Sequence, residues 1–229
     1  MDSTNLLFGS LFALGAVVGS FANVVAWRYD PGRNVFERSH LGGRSRCPHC
    51  RKVLSWFELV PIVSFLVQGG RCRTCRHRLS FQYPLVELAS GLMVAVVPLF
   101  LNSFYQVRSA AFASFEAPLW YYGRVGAWIL VFLAWLLVAL IDIRHYLIPD
   151  ELNGILGLLG VAIVALVATH AEVLPSFRTS FIRHYALLFS PTQDLIASRL
   201  LGAAAGGLFF GALSWLSRGR AMGVGDAKL

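Results

Sequence analysis

Residues 125–169 read VGAWILVFLAWLLVALIDIRHYLIPDELNGILGLLGVAIVALVAT. Two apolar runs, Val125 to Ile143 and Leu152 to Thr169, flank a short break that carries Arg144, His145, Pro149, Asp150 and Glu151. A helix needs about 20 apolar residues to cross a hydrocarbon core, so each run has the length of a membrane span and the break is a polar turn between them. Three more stretches read the same way: Leu6 to Trp27, Leu85 to Leu101 and Ile196 to Leu216. The whole chain agrees with this, since 56% of its 229 residues are hydrophobic and 14% charged, with a mean hydropathy of +0.62. Those values exclude an ordinary soluble domain. The first run lacks a cationic leader and a small-residue cleavage site, which makes it a retained span and not a signal peptide. The expected fold is an all-α polytopic membrane protein, a helical bundle with a small insert between the first and second spans.

The net charge of +8 does not indicate a nucleic-acid partner, because its distribution follows the spans. Between Arg28 and Ser80 there are eleven Lys or Arg against three acids, Asp30, Glu37 and Glu58. The positive-inside rule puts that segment in the cytoplasm. Alternating the spans then gives fifteen cations inside and five outside, with the N-terminus outside. Contact with anionic lipid is a secondary role for these cations. The other loops, 102–124 and 170–195, are rich in aromatics, and Trp120, Tyr121 and Tyr122 suit a membrane interface.

Three segments follow: a first span at 1–27, an insert at 28–84, and a membrane core at 85–229. An insert of that size buries little surface on its own, so it needs a staple. All four cysteines lie in it, as Cys47-Pro-His-Cys50 and Cys72-Arg-Thr-Cys75, with 21 residues between the pairs. Paired C-x-x-C knuckles at this spacing match a four-cysteine zinc site. Two disulfides, a redox dithiol and an iron site are the alternatives; a reducing cytoplasm argues against the disulfides. Four protein ligands leave no open position for water, so the zinc is structural, and His49 and His77 are neighbours of the site. Between the knuckles, LSWFELVPIVSFLVQGG (54–70) is apolar but holds Glu58 and Pro61. It reads as an interfacial piece in preference to a sixth span, with a buried helix as the alternative. No internal repeat is apparent. Gly202, Gly206, Gly207 and Gly211 form a small-residue stripe suited to close helix packing within the bundle.

Acids inside membrane spans are costly and mark function. Glu87 near the start of the second span, and Asp150 and Glu151 at the start of the fourth, sit where a helix dipole favours carboxylates; Asp150, close to the chemistry, stays a rival candidate for it. Asp142 ends the third span, where the dipole disfavours a carboxylate; pairing with Arg144 or His145 is the structural alternative to a catalytic role. Asp226, in Gly223-Val-Gly225-Asp226, falls at the same membrane level by the alternation of spans. Two neighbouring carboxylates in a low-dielectric site share one proton. The ionised member can activate a water while the protonated one donates to a carbonyl oxygen or leaving amine. Gly223 and Gly225 permit a sharp backbone turn close to a substrate chain.

Taken in order, GSFANVVAWR (19–28), CPHC, LSWFELVPIVSFL, GGRCRTC, YPLVELASG (83–91), IDIRHYLIPDELN and GVGDAKL resemble the type IV prepilin peptidases of the membrane G-x-G-D aspartyl class. The resemblance implies Asp142 and Asp226 as the catalytic pair and zinc on Cys47, Cys50, Cys72 and Cys75. It implies cleavage of prepilin or pseudopilin leaders after a glycine at the cytoplasmic face of a bacterial inner membrane. It further implies N-methylation from S-adenosylmethionine, for which no glycine-rich nucleotide loop is visible here. Members of that family continue past G-x-G-D into further spans, so the resemblance implies a chain shortened at its C-terminus. The loops 102–124 and 170–195 are longer than is usual in the family. A proton-coupled carrier, which would hold its acids near the bilayer midplane, and a zinc-stapled scaffold without catalysis are the competing readings. Oligomeric state is not legible.

Overall fold

The computed structural model describes residues 3–104, 119–168 and 195–216. Among them the chain is helical, with two isolated β-bridges. In chain order the helices are α1 (Ser3–Arg28), α2 (Arg38–Leu41), α3 (Val63–Val67), α4 (Gln82–Phe104), α5 (Leu119–His145), α6 (Asp150–Ala168) and α7 (Leu195–Leu216). Four are long and apolar enough to cross a membrane: Thr4–Arg28, Gln82–Asn102, Leu119–His145 and Asp150–Val167. The fifth expected span is the 22-residue helix α7, whose described apolar run is Leu200–Ala212. The chain divides into two compact units, Met1–Leu152 and Asn153–Leu229.

The first unit is organised by α1 against α4, with α5 packed on both. Hydrophobicity cannot drive helix association in lipid, so close backbone approach must, and glycines supply it here. A methyl group added at Gly15 would lie 2.6 Å from the Ser90 carbonyl oxygen, and one at Gly91 would lie 2.8 Å from the Phe12 ring. One at Gly19 would overlap the Ser90 hydroxyl and come within 2.9 Å of the Val86 carbonyl oxygen. Ser90 is fully buried and turns its hydroxyl back to the Val86 carbonyl at 2.9 Å, which spares it an unsatisfied polar group. At the end of α4 remote from the insert, Val97 and Leu101 pack with Tyr121 and Val125 of α5. The buried Tyr121 hydroxyl donates to the Pro98 carbonyl at 3.2 Å and bonds Asn102. The glycine stripe expected to pack, Gly202 to Gly211, meets no atom within 4 Å of an added methyl among the described residues.

The segment between the knuckles is neither a span nor a buried helix. It forms a 3-10 turn, Trp56–Leu59, and the five-residue α3, separated by a tight turn at Ile62. Trp56, Leu66 and Val67 are largely exposed, at 79%, 70% and 82%. That overturns the buried-helix alternative and fits the interfacial one. Glu58 closes a capping box with Ser55, its Oε2 accepting the Ser55 N–H at 2.9 Å.

Candidate functional site

The four cysteine sulfurs lie within 4.8 Å of one another. Across the two knuckles, Cys47 Sγ is 3.9 Å from Cys75 Sγ, and Cys50 Sγ is 4.0 Å from Cys72 Sγ. A tetrahedral thiolate site with metal–sulfur bonds of about 2.3 Å has sulfurs about 3.8 Å apart, so the donor set fits such an ion. All four thiols are free, and the cross-knuckle sulfurs are too far apart for a disulfide bond.

The two knuckles are copies of one another, which corrects the expectation of no internal repeat. SRCPHCRKVL (45–54) and GRCRTCRHRL (70–79) share five of ten residues. Their backbones match bond for bond. Cys47 N–H donates to Lys52 and Cys72 N–H to His77; Arg51 donates back to Cys47 and Arg76 to Cys72; Leu54 donates to Ser45 and Leu79 to Gly70. Each knuckle is closed by an arginine in the left-handed region, Arg51 at φ 57° and Arg76 at φ 58°. His49 and His77, expected as neighbours of the site, stack face to face at 4.3 Å across the pair. Thiol acidity differs between ligands. Hydrogen bonds from the backbone amides of Cys75 and Thr74 pull Cys72 down to about 6. At Cys75 the His77 amide also pulls down, but burial and the neighbouring thiols outweigh it and push that thiol up to about 11. A divalent cation at the centre removes this conflict by taking all four as thiolates.

Next to the cluster is a cavity of about 590 Å³ whose walls come from α1, α4 and the insert and include Cys47, Cys72, Trp27, Tyr83, Glu58 and Glu87. Both glutamates are buried. Glu87 does not serve its own helix start, as its position in the sequence implied. Its Oε2 accepts the Ile62 N–H at 2.7 Å, 25 residues away. Ile62 has φ 62° and ψ −52°, with the Val63 N–H bonded to the Pro61 carbonyl. This is a γ-turn of the strained hand, at a β-branched residue that rarely adopts positive φ. A carboxylate from α4 therefore fixes the turn that folds the insert back over the membrane helices. Arg28, the last residue of α1, pins the other side by bonding the Gly42 and Arg44 carbonyls.

Asp142 lies near the end of α5, partly buried. Its carbonyl accepts the Tyr146 N–H at 2.8 Å, and Tyr146, at φ 53°, ends the helix in a left-handed turn usually made by glycine. The ion pairs that would give Asp142 a merely structural role do not form among the described residues: Arg144 lies over the Trp27 ring at 5.5 Å, and His145 meets the Tyr29 ring edge-on at 5.5 Å. Burial, then Glu151, Asp150 and Asp30, hold the Tyr29 phenol above its usual range. Asp226, with Gly223 and Gly225, lies outside the described residues. A second cavity, about 430 Å³, opens beside Asn23, Leu140, Ile143 and Arg144 and shares Trp27, Pro48, Leu79 and Tyr83 with the first.

Long apolar helices joined by an insert whose four cysteines cluster closely enough to hold a metal ion define a polytopic helical membrane protein. Residues 13–101 match the family model described as the bacterial peptidase A24 N-terminal domain. A Bacillus subtilis protein named prepilin leader peptidase/N-methyltransferase is 34% identical over 96% of this chain and 69% of its own length. The chain belongs to the prepilin leader peptidase/N-methyltransferase family. A Myxococcus xanthus protein of the same name is 32% identical over 96% of the chain, which spans 52% of that relative's length. An Escherichia coli type 4 prepilin-like proteins leader peptide-processing enzyme is 28% identical, over 94% of the chain and 71% of its own. No solved structure matches.

Proposed function

We propose that this chain is the membrane aspartyl endopeptidase its family membership implies. It would cleave the leaders of type IV prepilins or pseudopilins after a glycine at the cytoplasmic face of the inner membrane, and then methylate the new N-terminus. The observation that carries this reading is the 34% identity to a prepilin leader peptidase/N-methyltransferase over nearly the whole chain. Asp142 and Asp226 are the carboxylate pair. One, ionised, takes a proton from the attacking water; the other, protonated, gives its proton to the departing amine as the tetrahedral intermediate collapses. Asp142 suits that duty because no cation neutralises it among the described residues. Its place at a helix end meets a substrate whose apolar helix lies in the bilayer and whose leader lies at the surface. The charge bias supports an N-terminus outside and an insert in the cytoplasm.

Zinc on Cys47, Cys50, Cys72 and Cys75 would hold the insert folded and take no part in hydrolysis, because its four protein ligands complete the coordination. S-adenosylmethionine, when bound, supplies a methyl group; the chain's own task is to bind it and to present an unprotonated N-terminal amine. The domain division is the first span at 1–27, the zinc insert at 28–84 and the peptidase core from 85 onward, with the exposed Trp56, Leu66 and Val67 seated in lipid headgroups. Incubation of the reconstituted protein with a prepilin and S-adenosylmethionine tests the proposal by mass spectrometry. A product starting just after the leader glycine and carrying one methyl supports it. An intact prepilin, or a cut elsewhere, refutes it.

A further inference from the structure

We propose that the 430 Å³ cavity where α1, α4 and α5 meet the insert is a specific site for the phosphate of a phospholipid of net negative charge, held between Arg78 and Arg144. The inference rests on the cavity and its charge and is independent of the peptidase reading. The walls include the ends of three spans. Trp27 is the next-to-last residue of α1, Tyr83 the second of α4, and Ile143 and Arg144 directly precede the last residue of α5. That is the level at which the helices leave hydrocarbon, where tryptophan and tyrosine rings settle and lipid phosphates lie. The volume suits a headgroup, since small-molecule sites run from about 300 to 1,000 Å³.

The lining is cationic and holds no countercharge. Arg78 and Arg144 contribute to it, no aspartate or glutamate does, and neither arginine makes an ion pair among the described residues. Arg144 is held to the wall by Trp27, its guanidinium lying over the ring at 5.5 Å. The buried Asn23 ties α1 to α4 there by donating to the Tyr83 carbonyl at 3.3 Å. Two guanidinium groups suit a phosphate, which accepts paired N–H bonds from each, and basic pockets between transmembrane helices take anionic headgroups.

Other occupants fit worse. A zwitterionic headgroup brings an ammonium for which the lining has no carboxylate. Free phosphate leaves unused an apolar flank, where Trp27 is 47% and Ile143 72% exposed, a bed for the first methylenes of an acyl chain. A substrate held for Asp142 belongs on another face of α5. Leu140, Ile143 and Arg144 stand at i, i+3 and i+4 and share one face. Asp142 is turned about 100° from Ile143 and about 160° from the other two, and it does not line the cavity.

The test titrates the full chain in neutral detergent with phosphatidylglycerol, with phosphatidylcholine of the same acyl chains, and with inorganic phosphate, and follows bound lipid by native mass spectrometry. Phosphatidylglycerol is expected to fill one site about tenfold more tightly than phosphatidylcholine, and equimolar inorganic phosphate should not empty it. Arg78→Gln and Arg144→Gln are each expected to weaken that site about fivefold. Gln82→Glu sets a carboxylate in the lining at a helix start that favours one, so it should weaken binding at least as much while helical circular dichroism stays unchanged. Arg73→Gln removes the same charge from a residue that lines neither of the two cavities, and should leave the site intact. Equal binding of the two lipids, displacement by inorganic phosphate, or unchanged binding in the Arg78 and Arg144 variants overturns the proposal. So does a loss in Arg73→Gln equal to that in Arg144→Gln, which would mean diffuse attraction to the basic insert in place of a site.

Discussion

The contact between α1 and α4 carries both the cysteine-bearing insert and the large cavity, and it can be tested by adding single methyl groups. Gly15→Ala would place its Cβ 2.6 Å from the Ser90 carbonyl oxygen, 2.8 Å from Val94 Cβ and 2.9 Å from Gly91 Cα. The carbonyl and the Cα are backbone atoms, so no rotamer change relieves the overlap, and the helices must part by roughly 0.5–1 Å, which forfeits a quarter to a half of the local dispersion attraction. Overpacking of this kind costs about 1–3 kcal/mol. Gly→Ala in a helix also gains about 1 kcal/mol of propensity, and Gly9→Ala on the same helix isolates that gain, because nothing lies within 4 Å of its added methyl. Thermal unfolding in detergent, followed by helical circular dichroism, should therefore rank Gly9→Ala at or above wild type and Gly15→Ala clearly below it. Gly19→Ala overlaps the Ser90 side chain, so Ser90→Ala should rescue it in part while leaving Gly15→Ala unrescued. A Gly15→Ala protein as stable as Gly9→Ala, or rescued by Ser90→Ala, would refute the packing.

Chelating the proposed zinc, or Cys72→Ser, should unfold the insert while leaving the membrane helices intact; zinc content together with proteolysis of the 28–84 segment reads this out. Glu87→Ala should orphan the Ile62 amide and cost about 1–3 kcal/mol, whereas Glu87→Gln, which keeps an acceptor, should cost far less by the same unfolding assay. Ile62→Gly relieves a strained γ-turn and should be neutral or stabilising by about 1 kcal/mol. Tyr29 should titrate above the usual phenol range. Its contribution to stability is then fully present below the ordinary pKa and lost as pH rises through the elevated one, and Asp150→Asn should lower that pKa in a difference titration against Tyr29→Phe.

Hydropathy alone located α1, α4, α5 and α6, because a span must be apolar along its length whatever its neighbours are. Cysteine spacing located the sulfur cluster for a similar reason: two C-x-x-C pairs suited to one ion bring their four sulfurs together whatever surrounds them. What the sequence hid depends on partners distant along the chain. Gly15 and Gly19 have the same four-residue spacing as Gly202 and Gly206, and only the presence of Ser90 and Gly91 opposite them makes them a contact. Glu87 read as a helix-start acid because its actual partner, the Ile62 amide, lies in a turn that local propensity disfavours. The knuckle repeat is faint in the sequence because half of its ten positions differ, and what repeats is the backbone hydrogen bonding. Asp142 stands out by its conflict with the helix dipole, a signal that needs no partner, and its catalytic role is a proposal.

Prepilin cleavage by the reconstituted protein and its single aspartate variants tests the central claim most directly. Asp142→Asn and Asp226→Asn should each lower the rate by about 10²–10⁴-fold, while Asp150→Asn, a change at a helix start, should cleave at close to the wild-type rate. Wild-type cleavage by either of the first two variants, or its loss only in Asp150→Asn, would contradict the assignment of the pair.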